Sequence, residues 1–254
     1  FPSLFLYLEM IIQKSIIFRP KKLKQDFTFK STYPLTEYFF NFKIDDDEFL
    51  INTVHVKSEN AKGLIFFLHG TLHHIQYHLP KADIFIENNY DVVMMDYPTY
   101  GKSKGRLTEQ LLHQVVENTF KNAIEQLNIT GDIVLVGRSL GTALASSLAA
   151  KIHPKHLVLI SPYYSMPDLF NHKVKLFSFR KLKFKFENYT YLPNVICNAY
   201  ILHGNKDKLI PIELSKKLIP LLKDENHFIE IPNADHFNVH EHKIYQEFVK
   251  KILS

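Results

Sequence analysis

Hydrophobic and polar positions along this chain follow two periods, and each change from one to the other marks a new element. Thr36 to Lys43 and Phe49 to Lys57 have the alternation and aromatic content of paired strands around the acidic turn Asp45-Asp46-Asp47. Leu64 to Leu68 is a continuous apolar run, the pattern of a strand buried on both faces. From there strands and helices take turns. Lys81 to Asn88 reads as a helix, Asp91 to Asp96 as a strand, Glu109 to Leu127 as a long amphipathic helix, Ile133 to Val136 as a strand and Leu140 to Lys151 as a helix of small residues. The second half adds strands at Leu157 to Ile160, Ala199 to Leu202 and Phe228 to Ile231, with helices at Ile212 to Leu222 and Glu241 to Ile252.

This alternation predicts an α/β fold: a mainly parallel central sheet with helices on both faces. Residues 166–194 interrupt it and are expected to form a small cap over the site. No repeat or flexible linker divides the rest. The expected organisation is an apolar and basic N-terminal segment over residues 1–24 and one domain over residues 25–254.

The N-terminal segment supports three readings. Phe1 to Phe18 is mostly apolar, but Glu9, Gln13 and Lys14 interrupt it, and the uninterrupted part is shorter than a bilayer span. A start without Met fits a processed or truncated product. The first dozen residues are then an amphipathic docking helix, the end of a lost membrane anchor, or a helix packed on the domain. After an anchor, Arg19, Lys21, Lys22 and Lys24 would hold the domain on the cytoplasmic side. The expected location is accordingly cytoplasmic, or the cytoplasmic face of a membrane, with peripheral or anchored contact through this segment.

Composition narrows the function. At 254 residues and 46% hydrophobic, the chain can bury one sizeable core. Cys197 is the only cysteine, so an intramolecular disulfide and a cysteine-rich zinc site are both excluded, and its apolar neighbours mark it as a core residue. The 31 Lys and Arg against 26 Asp and Glu leave +5, short of a nucleic-acid-binding signature, and no nucleic-acid partner is expected. Fourteen histidines include the clusters His69, His73, His74, His78 and His236, His240, His242. No acidic or cysteine ligand accompanies the first, so no metal is expected. From Lys173 to Lys185, basic residues nearly alternate with Val174, Leu176, Phe177, Phe179, Leu182 and Phe184. That is an amphipathic cap, either resting on anionic lipid or forming a solvated basic face over an ordinary core.

The chemistry is concentrated at Gly137-Arg138-Ser139-Leu140-Gly141. This run follows the apolar strand Ile133-Val134-Leu135-Val136 and opens the helix Thr142-Ala143-Leu144-Ala145, the context of a nucleophile elbow. The sharp turn strains the backbone at Ser139, and glycines two residues before and after it remove side chains that would clash. Serine needs a base to take its proton and a carboxylate to orient that base. Leu202-His203-Gly204-Asn205-Lys206-Asp207 ends one strand in a loop carrying Asp207. Ile231-Pro232-Asn233-Ala234-Asp235-His236 ends another in a loop carrying His236. Asp168 is the second candidate for the acid. The oxyanion donors expected are the backbone N–H groups of Leu140 and, after Leu68-His69-Gly70, of Thr71. His69 is expected to be structural, and His73 and His74 to line the pocket mouth.

These motifs resemble the α/β-hydrolase superfamily, and more narrowly its BEM46-like branch of membrane-associated hydrolases of the ABHD type. The resemblance is carried by Phe18-Arg19-Pro20, Phe67-Leu68-His69-Gly70, Asp96-Tyr97-Pro98-Thr99-Tyr100-Gly101-Lys102-Ser103, the Ser139 run, Ser161-Pro162-Tyr163-Tyr164-Ser165-Met166 and His203 through Pro211. It implies Ser139, Asp207 and His236 as a catalytic triad, in agreement with the reading of the residues. Tyr163 joins His73 and His74 as an expected substrate contact. Pro98-Thr99 and Thr71-Leu72-His73-His74 depart from the usual family residues and bear on the substrate. The expected function is hydrolysis of a small-molecule carboxylic ester or thioester through an acyl-enzyme on Ser139, without a cofactor. An aminopeptidase or amidase with the same triad, and a non-catalytic binding module on this fold, remain the alternatives.

Overall fold

The computed structural model describes residues 13–173 and 182–254. Its strands are β1 (Arg19–Pro20), β2 (Leu35–Ile44), β3 (Asp47–Val56), β4 (Gly63–Leu68), β5 (Leu72–His73), β6 (Tyr90–Met95), β7 (Asp132–Arg138), β8 (His156–Ile160), β9 (Asn198–Gly204) and β10 (Phe228–Ile231). The helices are α1, described over residues 13–17, α2 (Ile75–His78), α3 (Asp83–Ile86), α4 (Glu109–Gln126), α5 (Gly141–Ile152), α6 (Met166–Lys173), α7 (Asn188–Tyr191), α8 (Ile212–Lys216) and α9 (Lys243–Leu253). An eight-stranded sheet runs in the order β10-β9-β8-β7-β4-β6-β3-β2. It is parallel from β10 to β6 and antiparallel at β6–β3 and β3–β2. The β2–β3 hairpin reverses at Asp45, whose φ of 51° suits a short polar side chain.

Side-chain alternation explains why the central strands are apolar throughout. Leu64, Phe66 and Leu68 of β4 face one way, packing with Leu135 and Leu159 and with Leu112 and Val116 of α4 and Leu144 of α5. Ile65 and Phe67 of the same strand face the other way, with Val136, Val158, Phe85 of α3 and Tyr245 and Val249 of α9. Each face is therefore covered by helices, and a polar residue on either would lose its water.

Two predicted helices are shorter than expected, and in one of them a proline interrupts the ladder. The stretch expected as one helix from Lys81 to Asn88 is a 3₁₀ turn, Leu79–Lys81, followed by the single turn of α3. The expected helix from Ile212 to Leu222 stops at Lys216, and Ile219–Leu221 forms a 3₁₀ turn around Pro220. Proline has no N–H to donate and its ring crowds the preceding turn, so the apolar period alone overstates this second helix.

In the cap region, α6 and α7 flank a stretch in which Leu182, Phe184 and Phe186 are buried while Lys183 and Lys185 are exposed. There the predicted alternation is a basic outer face over an apolar core. Val174, Lys175, Leu176, Phe177, Phe179, Arg180 and Lys181 lie outside the described residues. Glu109 at the start of α4 accepts from the N–H of Lys185 and, at 2.8 Å, from that of Phe186. Asn188, fully buried on α7, donates to Thr142 Oγ1 (3.1 Å) and the Tyr163 carbonyl (2.8 Å) and accepts from Ser146 Oγ (3.0 Å). The stretch expected as a cap is thereby tied to α4 and α5.

The described part of the N-terminal segment, from Gln13 on, is built into the same unit. Ile17 and Phe18 are buried, the Phe18 ring lies edge-on to Phe184 at 5.2 Å and Phe186 at 6.0 Å, and Gln13 Oε1 accepts from Lys183 N at 2.8 Å. β1 then pairs in parallel with β5, and Lys21 and Leu23 bracket Gly101 with two backbone hydrogen bonds of 2.9 Å each. Residues 1–12, on which the membrane readings rest, lie outside the described residues. Among those described, no helix is long and apolar enough to cross a bilayer.

Truncating Phe18 to Ala should empty space between α1 and the cap. We expect Phe18→Ala to lower the free energy of unfolding by about 3 kcal/mol in urea denaturation. Wild-type stability would mean that the segment is only loosely associated.

Candidate active site

The site lies at the carboxyl edge of the parallel strands, where loops after β4, β7, β9 and β10 converge. Ser139, directly after β7, holds a left-handed backbone with φ 53° and is 7% exposed. Packing enforces this conformation. A Cβ on Gly141 would sit 2.1 Å from the Leu68 carbonyl oxygen, so the first turn of α5 rests against the end of β4 with no room for a side chain. Thr142 Oγ1 donates to the Ser139 carbonyl at 2.6 Å, and Ser139 N–H donates to Ile160 O at 2.9 Å. Through Thr142, the buried Asn188 of the cap reaches the Ser139 main chain. Nothing in the local sequence around Asn188 marks it for this role.

The loop expected to supply the second oxyanion donor lies against this turn. A Cβ placed on Gly70 would be 3.2 Å from Ser139 Cβ. The loop's carbonyls are taken by buried hydroxyls and by the N-terminal strap. Tyr97 OH donates to His69 O at 2.7 Å, and Tyr100 OH (2.8 Å) and Arg19 N–H (3.2 Å) both donate to Thr71 O. Burial pushes the Tyr97 phenol well up and that of Tyr100 up as well, so both keep the proton that makes these bonds. His69 is 1% exposed, with Nδ1 2.7 Å from the Gly70 carbonyl and its ring 4.3 Å from Tyr97, as a structural residue should be.

Asp207 and His236 meet directly. His236 Nδ1 donates to Asp207 Oδ2 at 2.7 Å, while Asp207 Oδ1 accepts from the N–H groups of Leu209 (2.9 Å) and Ile210 (2.7 Å). His203 Nε2 lies 3.3 Å from Asp207 Oδ2 and donates to Ile210 O at 2.9 Å. Burial works to raise the Asp207 pKa. Hydrogen bonds from His203 and His236, the charge of His236 and the Ile210 N–H more than offset it, leaving the carboxyl well below the usual range. For His236 burial dominates and lowers the pKa. The Asp207 hydrogen bond and charge oppose it, and Arg138 and His203 reinforce it. With Nδ1–H committed to a permanent carboxylate, the Nε2 lone pair of the neutral ring is the free acceptor.

The remaining candidates are engaged in other contacts. Asp168 is held by Lys217 Nζ at 2.7 and 2.8 Å, which engages both of its oxygens, while the carboxylate on His236 Nδ1 is that of Asp207. Tyr163 is 1% exposed and engages Asn188 through its carbonyl. His73, at φ 65°, stacks on Tyr77 at 4.2 Å, and His74 precedes α2 with its ring 6.3 Å from Phe27. An open groove at His236 is lined by Lys206, Lys208, Leu209, Asn233, Asp235 and Phe237. Leu209 and Phe237 are exposed apolar side chains there; Leu209 falls within the His203–Pro211 run, and nothing in that run or around Phe237 marks either as a groove residue. Cys197 is half-buried against the core, and burial raises its thiol pKa. Among the described residues no group of His, Cys, Asp or Glu could hold a metal ion.

Sheet, elbow and convergent loops together define an α/β-hydrolase. The family described as serine aminopeptidase, S33, matches residues 59–198, more than half of the chain, and the chain belongs to this family. It is 28% identical over 217 residues to an uncharacterized protein of Acanthamoeba polyphaga mimivirus, covering 76% of this chain and 73% of that one. It is also 25% identical over 186 residues to the human protein ABHD12B, covering 65% and 51%. Among solved structures, an esterase from Pyrococcus furiosus superposes with a TM-score of 0.71 at 16% identity, covering 93% of this chain and 97% of that one. Est1E from Butyrivibrio proteoclasticus, with ferulic acid bound, superposes with a TM-score of 0.67 at 19% identity, covering 84% and 97%.

The electrostatics can be read directly by NMR titration of the histidine ring protons. His236 should titrate below the ordinary imidazole value of about 6.5. In Asp207→Asn it should titrate lower still, because the carboxylate that favours the imidazolium is gone. A rise in that variant would contradict the assigned contact.

Proposed function

We propose that this hydrolase cleaves carboxylic esters or thioesters through an acyl-enzyme on Ser139. Two observations carry the reading: the buried Asp207–His236 hydrogen bond, and a left-handed serine at the end of a central strand whose neighbour Arg138 donates to the His236 carbonyl. Ser139 Oγ attacks the substrate carbonyl as His236 Nε2 takes its proton. The tetrahedral oxyanion is received by the N–H groups of Leu140 and Thr71. His236 then gives its proton to the leaving group, and water, activated by the same imidazole, releases the acyl group.

The family's description raises the aminopeptidase as the second reading. An aminopeptidase must hold a substrate ammonium, and unengaged carboxylates do that best. The groove at His236 offers Lys206 and Lys208, and its one carboxylate, Asp235, has Oδ1 occupied by the N–H groups of Phe237 (2.7 Å) and Asn238 (3.0 Å). A cationic substrate end is therefore disfavoured. The apolar faces of Leu209 and Phe237 suit an acyl chain, and the solved esterases that share the fold are consistent with that chemistry.

Hydrolysis of p-nitrophenyl acyl esters against aminoacyl p-nitroanilides decides between the two. We expect ester turnover, lost by on the order of 10⁴-fold or more in Ser139→Ala. Its dependence on acyl length should be flattened by Phe237→Ser. Preference for a free-amine anilide would establish the aminopeptidase, and turnover of neither substrate by folded protein would favour the binding module.

A further inference from the structure

Arg138, the residue before Ser139, is a buried guanidinium that the mechanism above does not use. It is 5% exposed at the end of β7, and among the described residues it forms no ion pair. Asp207 and Asp235 act on it only through their fields, and burial lowers its pKa. Burying a permanent charge without a carboxylate partner is costly, and an apolar side chain of similar volume would avoid that cost.

Two contacts show what the charge does there. Nη2 donates to the main-chain carbonyl of His236, across 98 positions of sequence. Nη1 lies 3.7 Å from where a Cβ on Gly70 would be, so the guanidinium occupies the angle between the oxyanion loop and the base loop. The His236 loop closes its own turn, with Asp235 Oδ1 accepting from Phe237 and Asn238 and Asn238 Oδ1 accepting from Asp235 N at 2.8 Å. Those bonds shape the loop but do not tie it to the elbow.

We propose that Arg138 is a positioning residue whose guanidinium clamps the His236 loop to the nucleophile turn and holds a fixed positive charge against that loop. The inference rests on the hydrolase reading. Other groups facing His236 are Asp207, which favours the imidazolium, and His203, which opposes it; Lys206, Lys208 and Asp235 line the open side. Removing the Arg138 charge leaves Asp207 less opposed, so the pKa of His236 should rise. Lysine keeps the charge but loses the planar fork that reaches the His236 carbonyl.

The test is the second-order rate of fluorophosphonate labelling of Ser139 as a function of pH in wild type, Arg138→Met and Arg138→Lys, with urea denaturation of each. Both variants should label more slowly by roughly 10- to 100-fold, the scale of a small misplacement of reacting groups. The acid limb should move to higher pH in Arg138→Met and stay in place in Arg138→Lys. If Arg138→Met does not fold, slowed labelling of stable Arg138→Lys with an unmoved limb carries the proposal. Wild-type rates in either folded variant, or an unmoved limb in folded Arg138→Met, would overturn it. A wild type that does not label removes the hydrolase reading itself.

Discussion

The rest of this structure depends on the turn at Ser139. A serine at φ 53° is sterically unfavourable, and it persists because β7, β4 and α5 approach so closely that the chain has no other path. The same contact that forbids a side chain at Gly141 brings the end of β4 against the elbow. The Gly70–Thr71 loop must therefore lie beside Ser139. The sheet supplies this strain's support: β7 and β4 are fully flanked by parallel neighbours, and both of their faces are packed by helices. A position so constrained by its surroundings can hold a side chain at the surface of a deep edge without the mobility of an ordinary loop.

Electrostatics completes what the turn begins. Asp207 is buried, yet two backbone N–H groups and two imidazoles satisfy its oxygens, so it stays ionised where an unpaired carboxyl would take up a proton. Its charge fixes the tautomer of His236, while burial and Arg138 keep that ring from holding a proton at rest. The opposing influences leave an imidazole that is neutral at neutral pH but able to accept a proton once negative charge develops nearby. A buried lattice of tyrosine hydroxyls and the Arg19 strap then hold the facing loop in place.

What can be read from the sequence follows from locality. Gly137 to Gly141 between an apolar strand and a small-residue helix is a local pattern, as are the strand-then-loop settings of Asp207 and His236, so these positions are legible from the order of residues alone. Helix lengths are less legible, because the apolar period continues across Pro220 where the backbone cannot. The supporting residues are hidden for a different reason. Arg138 acts on a carbonyl 98 residues away, Asn188 reaches Thr142 from the cap, and Phe18 meets Phe184 and Phe186 from the opposite end of the chain. No local period encodes such contacts. Leu209 and Phe237 likewise look like ordinary loop residues until the two loops are brought to one groove.

The central claim is that Ser139 becomes covalently acylated during turnover. Rapid-quench intact-mass spectrometry of the protein mixed with a p-nitrophenyl ester, followed by peptide mapping, measures this directly. The account predicts a transient adduct of one acyl group on the peptide carrying Ser139, absent in Ser139→Ala. Ester turnover with no adduct, or with the adduct on another residue, would contradict it.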